Sequence, residues 1–264
     1  MSVVMGDALV QGNVVLGHTN QSDIYAAAPI VYLRMNEGTG VTAADSSDAG
    51  NNLNGTIGGA TWSTSEYKSG GASLSFDGSN DYVNLGTSAT LKPTTVFSWS
   101  IWINADNYDA IMRPISAWSS ESIGDGYYAS IWNYTNRTFG FAVYTNACSG
   151  AGTTMVTDDA VLTAATWHHV VVTYSGADTR MRIYIDGALV DSTHSGTAIP
   201  STIGCNQGNI EFALGYNYGG SASWPRAWDG YLDEFSVWDG ELTADQVSYL
   251  YGGGTPPDVT VGIP

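Results

Sequence analysis

Positive charge is scarce in this chain. Eight Lys and Arg stand against 25 Asp and Glu in 264 residues, a net charge of −17. Such a surface repels phosphate backbones, which argues against nucleic acid as a partner. It either attracts divalent cations or simply keeps the protein in solution. No Lys or Arg precedes Arg34, so the basic start of a secretory leader is absent and the chain reads as cytoplasmic-born or already processed. No apolar run approaches the roughly 20 residues that span a bilayer. The only cysteines, Cys148 and Cys205, lie in Gly/Ser/Asn-rich stretches. Whether they are bridged stays open; a bridge would be worth roughly 4 kcal/mol.

Catalytic spacings are missing too. The histidines His18, His168, His169 and His194 form no HxH or HExxH pattern, which argues against zinc. Ser-His-Asp chemistry has no nucleophile elbow to stand on. A retaining glycosidase needs two carboxyl groups about 5–5.5 Å apart across a cleft. Asp233 and Glu234 are adjacent, and neighbours in a regular strand point to opposite faces; no Glu-x-Asp-x-x-Glu run exists.

What is present is β patterning. Charged residues make up 12% of the chain, against about 25% in an average globular protein, and Gly, Ser, Thr, Asn, Tyr and Trp take their place. In residues 72–85, Leu74 and Phe76 alternate with Ser73 and Ser75, Asp77-Gly78-Ser79-Asn80 turns the chain, and Tyr82-Val83-Asn84-Leu85 begins a second strand. Residues 96–103 place Phe97, Trp99, Ile101 and Ile103 on a core face. Val96, Ser98, Ser100 and Trp102 take the other face, where Trp102 meets a ligand or a covering loop. Further strands are expected at 30–35, 54–57, 112–118, 127–132, 138–144, 167–174, 181–190, 210–214 and 230–238. Asp186-Gly187 forms a two-residue hairpin turn. The one persuasive helix runs over 243–251, with Thr243 as N-cap, Gln246 completing a capping box, and Leu242 and Val247 as a hydrophobic staple.

In order, Leu33-Arg34-Met35-Asn36-Glu37-Gly38, Asp45-Ser46-Ser47, Asn54-Gly55-Thr56, Leu74-Ser75-Phe76-Asp77-Gly78, Phe97-Ser98-Trp99-Ser100-Ile101-Trp102, Trp167-His168-His169-Val170, Tyr184-Ile185-Asp186-Gly187, Gly230-Tyr231-Leu232-Asp233-Glu234-Phe235 and Leu242-Thr243-Ala244-Asp245-Gln246 resemble the laminin-G-like, concanavalin A-like jelly-roll family over residues 29–252. The resemblance implies an all-β fold, a two-sheet antiparallel jelly-roll sandwich. It also implies a mostly non-catalytic binding or adhesion module, of the kind attached to enzymes, cell-surface proteins or phage structural proteins. A few relatives with this sandwich are glycoside hydrolases. His169, at the family's Trp-x-His-Val position, is expected to be a hydrogen-bonded core residue.

Related modules often hold a structural calcium near the rim. Calcium takes six to eight oxygens, and Asp45, Asp77, Asn80, Asp81 and Asp233 are the candidates here, with Asp45 paired with Asp233 by family topology. The competing reading is that these side chains cap their own turns. Tyr108, Trp118, Tyr134, Tyr216, Tyr218 and Trp224 lie among Asn, Asp and Gly residues and are candidates to stack on a saccharide, though such rings are also ordinary in cores and interfaces.

Residues 1–28 carry apolar pairs broken by Gly and Asn and read as an arm that docks on a protein partner, a capsid or tail subunit or a second copy. Residues 253–264 read as an extended tail. Together these features point to a non-enzymatic virion protein, a capsid decoration or tail-associated subunit that displays a lectin-like domain at the virion surface. The alternatives are a secreted or cell-surface carbohydrate-binding adhesin and, behind it, a glycoside hydrolase.

Overall fold

The computed structural model describes residues 28–253 apart from 48, 119–125, 134–136, 145–151, 158–160, 191, 197, 205–209 and 217–225. Residues 1–27 of the docking arm, residues 254–264 of the C-terminal tail and both cysteines therefore lie outside the described residues.

The chain enters at β1 (Val31–Leu33) and continues through β2 (Thr42–Ala43), β3 (Gly55–Gly58), β4 (Thr61–Ser63), β5 (Ser73–Asp77) and β6 (Tyr82–Gly86). A single 3-10 turn over Ala89–Leu91 leads into β7 (Val96–Ala105), which is followed by β8 (Ile115–Trp118), β9 (Gly126–Asn133), β10 (Thr138–Tyr144) and β11 (Gly152–Thr157). Then come β12 (His168–Ser175), β13 (Arg180–Ile185), β14 (Ala188–Val190), β15 (Ser192–Gly196), β16 (Phe212–Leu214) and β17 (Asp229–Trp238), and the chain closes on α1 (Ala244–Tyr251). The strands form two antiparallel sheets. One runs β14-β13-β12-β7-β17-β5-β4 with β1 also paired to β17; the other runs β15-β11-β10-β9-β8-β16-β6-β3-β2. This is the jelly-roll sandwich expected from the sequence.

The core lies between the sheets, and the expected face of β7 builds it. Around Trp99, the ring centroids of Phe97, Tyr127 and Phe141 stand at 5.2, 4.8 and 5.3 Å. Each such ring removes apolar surface worth about 1.5–3 kcal/mol. The two-residue turn at Asp186 (φ 51°) and Gly187 (φ 79°) has the doubly positive φ of the expected hairpin. Some strands differ from expectation. The first stops at Leu33, because Met35 takes a left-handed φ of 54°. Strands β2, β4, β11 and β15 went unforeseen, being short or embedded in polar sequence.

Helix α1 crosses the outer face of the first sheet. Thr243 caps it as expected: its side chain accepts from Gln246 N at 3.3 Å, and Gln246 Oε1 accepts from Thr243 N at 2.8 Å. Leu242, Val247 and Leu250 bury against Val171, Tyr184 and Trp238. The segment leading into the helix is pinned at Ser98, whose Oγ donates to Gly240 O at 2.7 Å and accepts from Leu242 N at 2.9 Å. Glu241 adds ion pairs to Arg180 and Arg182. Replacing Thr243 by Ala leaves the Gln246 amide without its side-chain acceptor and is expected to cost about 1 kcal/mol, read as a lower urea midpoint with unchanged m-value. An unchanged midpoint would show that the cap contributes nothing.

Candidate functional site

The site grows out of an irregularity in β17. Leu232, Phe235 and Val237 all face the core, a spacing that strict alternation does not allow between 232 and 235. The register with β7 shifts accordingly: Asp233 pairs with Trp102, while Ser236 pairs with Ser100. One extra residue is accommodated as a β-bulge, and Glu234 takes a left-handed φ of 53°. This corrects the expectation that Asp233 and Glu234 point to opposite faces. Both side chains stand on the outer side of the sheet, because the bulge inserts a residue between them and the resumption of alternation.

At the same place β17 exchanges partners along one edge. Residues 229–232 pair with β5 and residues 235–237 with β1. The Asp233 carboxylate occupies this junction. Its Oδ2 accepts from Lys68 N at 2.9 Å and Ser69 N at 3.1 Å, and its Oδ1 accepts from Glu234 N at 2.9 Å. The carboxylate thus ties the segment before β5 to the bulge. Asp233 is fully buried, and burial pushes its pKa up to about 8 against the amide donations of Ser69 and Lys68. Glu234 is raised as well, first by burial, and accepts a hydrogen bond from the Tyr32 hydroxyl.

Glu234 and its partner Tyr32 border a cavity of about 270 Å³ on the outer face, lined also by Lys68, Ser69, Ser100, Trp102, His169, Ser236, Leu250 and Gly253. Of the alternatives open for Trp102, the covered one holds: the Lys68 ammonium lies 3.8 Å from its ring centroid and the Tyr251 ring stacks at 5.8 Å. His169 is 1% exposed. Its Nε2 shares a hydrogen bond with Ser100 Oγ at 2.7 Å, while its Nδ1 has no partner among the described residues. Burial lowers its pKa to about 3, the charge of Asp186 opposing this and that of Lys68 adding to it. Asp186 is engaged elsewhere: Oδ1 accepts from the His169 backbone amide at 2.9 Å, and Oδ2 meets His168 Nδ1 at 2.8 Å. A Ser–His pair is therefore present, but among the described residues no acid orients the imidazole for base catalysis.

The five calcium candidates are not brought together. Asp45 Oδ1 accepts from Tyr32 N and Ser47 N at 3.1 and 2.9 Å, and its Oδ2 from Leu53 N at 2.9 Å. The pairing of Asp45 with Asp233 does not occur, because β1 lies between them: Leu33 bridges to Asp45 on one side and pairs with Phe235 of β17 on the other. Asp77 caps its own turn through Ser79 N at 2.9 Å, Asp81 accepts from Asp77 N at 2.9 Å, and Asn80 is exposed. Among the described residues, no three His, Cys, Asp or Glu side chains are grouped to hold a metal.

The aromatic candidates divide. Tyr108 is buried, its ring packed in the core cluster rather than standing at a ligand surface. Tyr216 is half-buried and follows β16 at the rim where Gly215 N bonds Pro114 O, Arg113 N bonds Arg226 O and Ile131 N bonds Met112 O, at 3.0, 2.9 and 2.8 Å. The anchors of 134–136 and 217–225 thus lie on one rim. Tyr134, Tyr218 and Trp224 are themselves outside the described residues. Trp118 closes β8 at the opposite end, its Cα paired with Gly126. Sequence reasoning missed Lys68, Tyr32 and Ser100 as cavity residues. Only the outer face of β7 carried a signal, in the Ser100-x-Trp102 alternation.

The lowered His169 pKa has a definite sign. An unfolded histidine takes a proton near pH 6.5, and the folded one only near 3, so protonation favours the unfolded chain between those values and stability is lost as pH falls. His169→Gln, which can still bond Ser100, is expected to lose less stability than the parent between pH 6.5 and 4 in urea titrations. Parallel profiles would contradict a neutral buried imidazole.

Residues 77–248 match the family model described as the concanavalin A-like lectin/glucanases superfamily. No curated protein sequence matches the chain. Among solved structures, domain 4 of AbnA, a GH43 extracellular arabinanase from Geobacillus stearothermophilus in complex with arabinotriose, is similar at 19% identity and a TM-score of 0.56, over 85% of this chain and 99% of that one. The binding domain of Paraclostridial Mosquitocidal Protein 1 is similar at 15% identity and a TM-score of 0.62, over 87% and 53%. The botulinum neurotoxin serotype D binding domain is similar at 15% and 0.57, over 86% and 52%. The chain spans about half the length of these toxin domains, and at such identities the likeness shows the fold alone. With the family model covering most of its length, the chain belongs to the concanavalin A-like lectin/glucanase superfamily.

Proposed function

We propose that the protein is a non-enzymatic binding module whose ligand is a saccharide taken up at the rim bordered by residues 106–114, 133, 137–138, 215–216 and 226–228. The observation that carries this reading is the commitment of the acidic groups on the outer sheet face. Asp233 is held by three backbone amides and Glu234 by the Tyr32 hydroxyl, so neither stands free across a cleft as a glycosidase pair must. Binding, rather than bond cleavage, is the activity compatible with that arrangement. The arabinotriose held by the AbnA domain supports sugar as the ligand class, and the toxin binding domains support recognition as the role.

Display on a virion surface, with residues 1–28 as the anchor to a capsid or tail subunit, is the finer part of the proposal and rests on the sequence of that segment. A secreted or cell-surface adhesin is its rival. Removal of residues 1–28 separates the two: a display protein loses particle association and keeps sugar binding.

The direct test is binding of the full chain to a glycan array that includes arabino-oligosaccharides, with product analysis of the same sugars. Saturable binding without cleavage is expected, and Tyr216→Ala is expected to weaken it about 3- to 10-fold, the range of an aromatic contact. Cleavage of any glycan, or affinity indifferent to Tyr216, would overturn this assignment.

A further inference from the structure

The outer-face cavity lies on the outward side of the first sheet, and the proposed saccharide reading does not use it. Its walls are chemically unequal. On one side the Lys68 ammonium has only the Trp102 ring face as a partner among the described residues. Next to it the His169 ring lies 5.0 Å from Trp102, buried, with one nitrogen spent on Ser100 and the other unpartnered. On the other side is the Glu234 carboxylate, fixed by Tyr32. Ser69, Ser100, Ser236, Leu250 and Gly253 complete the lining. A buried polar atom without a partner costs free energy and calls for an explanation. Here the unpartnered atom belongs to a residue that lines the cavity.

We propose that this cavity is a binding site for a small hydroxycarboxylate, with the carboxylate between Lys68 and His169 and the hydroxyls toward Glu234. The cation and the unpartnered ring nitrogen call for an anionic acceptor at one end. When Ser100 donates its hydroxyl proton to Nε2, the neutral imidazole carries its own proton on Nδ1 and offers it to the ligand. The fixed carboxylate at the other end would repel a second anionic group but accepts hydroxyl protons. A cavity of about 270 Å³ is just below the usual range for small-molecule sites of about 300–1,000 Å³, so the ligand is no larger than one sugar ring. A fully apolar ligand would leave Lys68 and His169 unpaired, and a dianion would meet Glu234.

The test is calorimetric titration of the full chain with D-glucuronate and with D-glucose, which share a ring and differ in the carboxylate. One saturable glucuronate site is expected, with glucose at least tenfold weaker. Lys68 is exposed, so its replacement spares the core. Lys68→Gln is expected to lose at least tenfold in glucuronate affinity and Lys68→Arg to keep most of it, with array binding through the rim unchanged in both. Absence of saturable glucuronate binding, equal affinity for glucose, or indifference to Lys68→Gln would each overturn the proposal. Loss of array binding with glucuronate binding intact would instead overturn the rim assignment and leave this site standing.

Discussion

The contact on which the outer half of this structure depends is the Asp233 carboxylate at the bulge in β17. A strand of ten residues could run unbroken through the sheet, but this one exchanges β5 for β1 along one edge, and at that exchange a ladder leaves amides without partners. The carboxylate supplies acceptors for three of them. Taking a charge-bearing group out of water is costly, which the raised pKa of Asp233 expresses, and the hydrogen bonds offset that cost. Without the bulge, Glu234 would turn into the aromatic core occupied by Phe235 and Phe212. With it, Glu234 reaches Tyr32 and becomes a wall of the cavity.

The same arrangement commits several reactive groups to structural contacts. Two neighbouring carboxyl groups and a Ser–His pair on one sheet face look like the parts of an enzyme. Their partners give them other tasks: Asp233 binds amides, Glu234 binds a phenol, and His169 is held neutral by burial. Among the described residues, the Lys68 ammonium keeps only the Trp102 ring face as a partner and one imidazole nitrogen has none.

Much of the fold was legible in the sequence because it depends on local rules. The alternation around Trp99, the Asp186-Gly187 turn and the Thr243 capping box are each written within a few residues. The site was less legible for a physical reason. The face of Glu234 follows from a positive φ and an edge exchange between β5 and β1, and neither leaves a mark in residue spacing; alternation alone gives the opposite answer. Lys68 is likewise an ordinary exposed lysine until its backbone amide is tied to a residue 165 positions away. Asp45 and Asp77 show the converse: their Asp-Ser and Asp-Gly contexts suggested turn-capping as one reading, and in the structure both side chains accept nearby amides.

The measurement that bears most directly on this account is residue-resolved amide hydrogen exchange at Lys68 and Ser69 in the full chain. Both residues precede β5 in a segment outside the strands, and without the carboxylate their amides would exchange as a solvated loop does. These two amides are expected to be protected together, to a degree comparable with β17 itself, as members of one cooperative unit. Exchange at the rate of an open loop would contradict it, because the carboxylate would then hold nothing in place and the cavity would lose its outer wall.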